Sequence, residues 1–137
     1  MTETRLTPHD TMLASLEAVA EAGQDIVPPY FERFYAACPA DEAMFHNRAS
    51  SQGAMVNEML TMLLAQAEGA EWLPMMMHAQ VTTHHDHGDI ALPRYREALD
   101  LLVDVMGDTA GPRWLPEYEA VWRGQVERMF ALITRFY

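Results

Sequence analysis

The sequence predicts an all-α domain of about seven helices, and three observations carry that expectation. Apolar residues recur at helical spacing along almost the whole chain, and prolines and glycines stand where helices start and stop. Nowhere does a strand-like alternation hold for more than a few residues. With 137 residues, half of them apolar, there is material for one good core, and no repeat, linker or low-complexity segment divides residues 1–137.

Thr7-Pro8-His9-Asp10 has the form of a helix start. The threonine can cap free N–H groups, and a proline in the first turn loses nothing by lacking its own. Met12, Leu13, Leu16, Val19 and Ala20 then follow a period near 3.6, and Gly23 can end the helix. Pro28-Pro29 restart the chain into a second helix with a dense aromatic stripe, Tyr30, Phe31, Phe34 and Tyr35. Pro39 interrupts that helix and opens a short segment running to Phe45, and a polar loop is expected from His46 to Ser51. Gln52 to Glu68 is the longest clean helical stretch, with Met55, Val56, Met59, Leu60, Met62, Leu63 and Leu64 inward and Gly69 closing it. Trp72-Leu73-Pro74 starts a further helix, in which Leu73, Met77 and Val81 sit four apart on one face. Pro93 opens another with Tyr95, Leu99, Leu102 and Met106 inward, and Gly107 is read as its C-cap. After a turn at Gly111-Pro112, the last helix carries Tyr118, Trp122, Val126, Met129, Phe130, Ile133 and Tyr137 on one stripe.

The net charge is −11, with nine arginines and no lysine. Such an acidic chain argues against nucleic acid and against an anionic membrane surface, because both need a basic footprint. A single cysteine, Cys38, excludes an intramolecular disulfide framework. The N-terminal residues lack a signal pattern, and no apolar run reaches about 18 residues, so a soluble cytoplasmic domain is expected.

Chemistry concentrates in one stretch, Val81-Thr82-Thr83-His84-His85-Asp86-His87-Gly88-Asp89-Ile90, which holds three of the six histidines at the end of a helix. Imidazoles there can bind a metal, bind a haem iron, or simply place cations near the carbonyl end of the helix. On a helical wheel His84 and His85 both lie near the Met77–Val81 face, periodicity slightly prefers His84, and His87 points away.

The order of parts resembles that of a bacterial single-domain globin, over nearly the whole chain. Phe31 followed by Phe34-Tyr35, then Pro39 and Phe45, is similar to the family's second helix, its proline-started third helix and the phenylalanine that stacks on haem. Gln52 resembles the distal glutamine at the head of the next helix, with Val56 and Leu60 one and two turns on. Val81 and His85, four apart, resemble the aliphatic residue and the proximal histidine, and Ile90 and Tyr95 match the aliphatic and tyrosine beyond it. Trp122 resembles the tryptophan common in the final helix. There are departures. The position where many members carry a ligand-contacting tyrosine falls on Phe31, with Tyr30 before it, and the helix from Pro93 to Met106 is about one turn short for the family. Some members also polarise the proximal histidine with a carboxylate near the chain end, whereas this chain ends Arg135-Phe136-Tyr137.

The resemblance implies a globin-like fold around one haem b, with His85 on the iron and Phe31, Phe34, Phe45, Gln52, Val56, Leu60, Val81, Ile90 and Tyr95 around the cofactor. His84 is the other candidate ligand. Absence of a Cys-x-x-Cys-His sequence makes the haem non-covalent. The implied function is reversible binding of O₂ or another diatomic gas, not catalysis, with a homodimer allowed. Taken singly, each apolar position reads equally as plain core packing, and Gln52 as an exposed first-turn residue. Two other functions fit the residues: a haem-free globin-shaped sensor or protein-interaction domain, and a divalent metal site built from His84, His85, Asp86 and His87.

Overall fold

Thr7 caps the first helix, α1 (Pro8–Glu21), through a reciprocal pair of hydrogen bonds. Its Oγ1 accepts from the Asp10 N–H, and the Asp10 carboxylate accepts from the Thr7 N–H, each at 3.1 Å. The computed structural model describes residues 6–45 and 48–137, and the side chains of Arg48, Ala49 and His87 are left aside. Within that span short turns join α1 to the remaining helices: α2 (Val27–Ala37), a 3₁₀ segment (Pro39–Met44), α3 (Arg48–Glu68), α4 (Leu73–His87), α5 (Leu92–Ala110), a 3₁₀ turn (Gly111–Arg113) and α6 (Pro116–Phe136). Among the described residues there is no strand, and no helix is long and apolar enough to cross a membrane.

Two boundaries differ from expectation. The loop expected from His46 to Ser51 shrinks, because α3 already begins at Arg48; the stretch Arg48 to Ser51 holds neither Gly nor Pro to prevent it. His46 itself lies outside the described residues. Gly107 is not a C-cap. The helix α5 runs through it to Ala110, and the cap is Gly111, whose φ of 59° suits glycine. Gly107 serves packing instead: a Cβ built there would stand 3.2 Å from the indole of Trp114. That extra turn gives α5 19 residues, more than the Pro93–Met106 stretch read from the sequence.

α5 and α6 form the platform of the fold, since each packs on α1 and α2 or α4 as well as on the other. Trp122, Val126 and Met129 of α6 and Leu102, Val103 and Met106 of α5 are essentially excluded from solvent. Burying side chains of that size contributes roughly 1.5–3 kcal/mol each, the dominant favourable term. Two polar devices thread this core. The Trp122 indole N–H donates to Ser15 Oγ at 2.7 Å, and that hydroxyl donates onward to the Met12 carbonyl at 2.6 Å, tying α1 to α6. Gln66 of α3 donates its amide to both the side-chain and backbone oxygens of Gln125, at 2.7 and 2.8 Å. Outside the core, Arg123 donates to Asp100, Asp104 and Glu119, and Arg96 to Asp100 and Glu127, so arginines cross-link the two acidic faces of α5 and α6.

Ser15→Ala should lower stability by about 1–2 kcal/mol, because it strands the buried Trp122 N–H while gaining only a small helix-propensity term. Urea unfolding at neutral pH measures this, and an unchanged midpoint would show that the indole finds another acceptor. The Gly107 contact makes a second prediction. Alanine in a helix is favoured over glycine by about 1 kcal/mol, but Trp114 is held by a 2.7 Å bond to Glu119 and an edge contact with Tyr118 and cannot easily withdraw. Gly107→Ala should therefore destabilise the natural chain and stabilise a Trp114→Ala background. The same sign in both would remove the steric argument.

Candidate functional site

The α2 aromatic stripe does more than fill the core. Tyr30, Phe31, Phe34, Tyr35 and Phe45 make a continuous set of ring contacts with centroids 5.0–6.2 Å apart, and Phe45 is thereby pinned against α2. One edge of this cluster, Phe34 and Phe45, forms a wall of a cavity of about 760 Å³. Its other walls are Met55 and Glu58 of α3, Gln80, Thr83 and His84 of α4, Ile90, and Arg94, Tyr95 and Ala98 of α5. A smaller inner lobe of about 110 Å³ shares Met55, Glu58, Gln80, His84, Tyr95 and Ala98, and continues among Met59, Met62, Met77, Leu99, Met129 and Ile133. The whole volume lies in the range of small-molecule and cofactor sites.

The α4 wall has a defined chemistry. Met77, Gln80 and His84 follow helical spacing, so the same face that buries Met77 carries His84 into the cavity. Its Nδ1 lies 2.6 Å from the Gln80 carbonyl oxygen. A carbonyl only accepts, so this contact places the proton on Nδ1 and leaves the Nε2 lone pair free. The Tyr95 ring stands edge-on to the imidazole, with centroids 5.6 Å apart. The Tyr95 hydroxyl is buried and, among the described side chains, has no hydrogen-bond partner. Burial first, and then the neighbouring Tyr137 phenol, push its pKa up, so the proton stays on.

At the rim, the Arg94 guanidinium lies 4.4 Å from the Phe34 ring centroid and donates to Asp41 at 2.6 Å and Glu97 at 2.8 Å. Arg94 is the basic group among the cavity residues, facing Asp41 and Glu58.

The residues expected from sequence divide cleanly. Phe34, Phe45, Ile90 and Tyr95 come together at the cavity, along with His84. Phe31, Val56 and Val81 are buried in the surrounding core, and Leu60 is half-buried there; none of the four lines the cavity. Gln52 donates its amide to the Tyr35 hydroxyl at 2.9 Å rather than into the space. His85 sits on the next face of α4, with its ring 4.9 Å from that of Tyr137 and Nδ1 3.9 Å from Asp89. The phenol of Tyr137 in turn donates to the Ile90 carbonyl at 2.9 Å, so His85 belongs to the seam between α4 and the end of α6. Tyr30, the residue beside Phe31, is fully buried and gives its proton to the Ala98 carbonyl at 2.9 Å, with Met59 Sδ at 3.8 Å. Burial holds that phenol well above its ordinary range, the nearby Arg94 charge offsetting little of it.

For a divalent metal, the described residues offer no group of three or more His, Cys, Asp or Glu side chains in ligating positions. His84 and His85 diverge onto different faces, and the His87 side chain lies outside the described set.

Sequence reasoning passed over Met55, Glu58, Gln80, Arg94 and Ala98 as site residues. The available signal was the i, i+4, i+7 run of Met55, Met59 and Met62, visible as an inward stripe but indistinguishable from ordinary core. Comparison with protein-family models, with characterised proteins and with solved structures finds no match to this chain.

Proposed function

We propose that the chain is a globin-like haem protein that holds one haem b through His84 and reversibly binds a small gaseous ligand. The observation that carries this reading is the His84 imidazole: it faces a cavity of cofactor size with its Nδ1 proton bound to a backbone carbonyl and Nε2 available. That is the arrangement by which proteins orient an imidazole for a metal, the partner on one nitrogen fixing the tautomer that ligates through the other.

The other walls fit the same group. Phe34, Phe45, Met55, Ile90 and Ala98 supply an apolar slot, and Phe45 is held there by its three ring contacts on α2. Arg94, paired with Asp41 and Glu97, is the cation at the rim nearest a carboxylate-bearing edge, and the Tyr95 hydroxyl, with no hydrogen-bond partner among the described side chains, is a donor beside His84. Bound haem would supply an iron able to take O₂, CO or NO, with His84 as the protein group that would hold it. The protein's part is to hold His84 in one orientation, to line the adjoining lobe with methionine, and to set the polarity around the iron.

That polarity is low. Gln52 spends its amide on Tyr35, and Tyr30 spends its hydroxyl on Ala98, so neither of the donors nearest in sequence is free to reach a ligand. A hydrogen bond to a partly charged ligand is worth roughly 1–3 kcal/mol, about ten- to hundredfold in dissociation rate. Without it, discrimination in favour of O₂ over CO should be weak.

Two measurements test the reading. Purified or haemin-reconstituted protein should show a Soret band at one haem per chain; His84→Ala should lose it, and His85→Ala should keep it. A chain that takes up no haemin ends the proposal and leaves a haem-free domain, while loss on His85→Ala alone would move the ligand to the neighbouring face. In stopped-flow O₂ release, Gln52→Ala should match the natural protein within about twofold, well below the loss of one hydrogen bond. A tenfold acceleration would place its amide at the ligand after all.

A further inference from the structure

Among the side chains that α3 presents to the cavity and its inner lobe, Met55, Met59 and Met62 supply sulfur, beside Ser51, Ala54 and Glu58. We propose that the Met55 thioether is a second axial ligand, so that iron held by His84 rests six-coordinate and a gas must displace Met55 to bind. This rests on the haem reading above and adds to it a resting state and a gating residue.

The choice of Met55 follows from its position. It is the α3 methionine that lines both the large cavity and the inner lobe, as His84 does from α4. Met59 and Met62 line only the inner lobe, and the Met59 sulfur lies 3.8 Å from the Tyr30 hydroxyl that donates to Ala98. Glu58 is solvent-exposed, and Asp41 is paired with Arg94, so both carboxylates lie where water or a cation already serves them. Met55 is half-buried, and its unbranched side chain, with three rotatable bonds, can extend into the space without moving the helix. A neutral thioether suits an apolar slot that would penalise an anion, and imidazole–thioether ligation is an established way of holding haem iron that favours the ferrous state.

Two consequences separate this arrangement from a vacant position. Ferric iron between imidazole and thioether is low-spin and shows a weak near-infrared sulfur-to-iron band. Gas binding to the ferrous form must await thioether release, so the observed CO association rate should level off as CO is raised.

The experiment uses the full chain with bound haemin, the natural sequence beside Met55→Leu and Met59→Leu. The natural protein should be low-spin with the near-infrared band and a saturating CO rate. Met55→Leu should lose the band, become high-spin, shift to a lower reduction potential and bind CO in proportion to its concentration, whereas Met59→Leu should keep the band. A high-spin natural protein with a normal Soret band overturns the proposal while leaving haem binding intact. Persistence of the band in Met55→Leu, or its loss in Met59→Leu alone, overturns the assignment to Met55. Absence of any Soret band overturns the haem reading itself and this inference with it.

Discussion

The cavity exists because α4 is fastened to α6 rather than to α3. Leu73, Met77 and Val81 bury the inner stripe of α4, and two of its histidines serve the same attachment: His78 stacks on Phe136 at 4.9 Å and His85 packs on Tyr137 at the same distance. The Tyr137 hydroxyl then ties the end of α6 to the Ile90 carbonyl. α4 meets α3 at few points, so the space between them stays open instead of closing into core. A helix drawn toward α3 would gain apolar burial but would have to abandon these contacts. The histidine cluster is thus divided by function along one helix, with His78 and His85 holding position and His84 facing the space that the attachment preserves.

That attachment needs a rigid base, which the α5–α6 pair supplies. Its core is apolar and tightly buried, and its outer faces are acidic, as expected of a chain with net charge −11. Arg96 and Arg123 each bridge several carboxylates there. Single exposed pairs of this kind are worth about 0–1 kcal/mol, so their value lies in relieving repulsion between neighbouring acids rather than in adding much stability. The buried Trp122–Ser15–Met12 chain acts differently. It specifies where α1 sits, because an indole N–H without an acceptor is costly in so dry a place.

The side of the cavity facing α4 owes its character to hydrogen bonds made elsewhere. Tyr30 and Gln52 are polar groups close in sequence to the cavity walls, yet each is satisfied by a protein partner: the Ala98 carbonyl for one, the Tyr35 hydroxyl for the other. What α3 presents instead is chiefly methionine, with Ser51, Ala54 and Glu58 beside it. The resulting surface is apolar but polarisable, a different environment from the amide-bearing one that the position of Gln52 suggests.

Local signals in the chain determined the helices, because capping threonine, proline and glycine act within a few residues of themselves: Thr7 with Asp10 starts α1, and Gly23 and Gly69 stop α1 and α3. The signal fails where a glycine has two explanations. Gly107 reads as a cap, but its role is to admit the Trp114 ring, a contact seven residues away that no local pattern reveals. Periodicity likewise placed Phe34 and Tyr95 inward, and these do reach the cavity, as does Phe45, which only the resemblance singled out. It could not say which inward face meets a space and which meets another helix, so Val56 and Val81 went to core and Met55 to the cavity from the same helices. The choice between His84 and His85 is of this kind. They are adjacent, about 100° apart on the helix, and only the packing of α4 against the end of α6 decides that His85 is covered by Tyr137 and His84 is left facing the open volume.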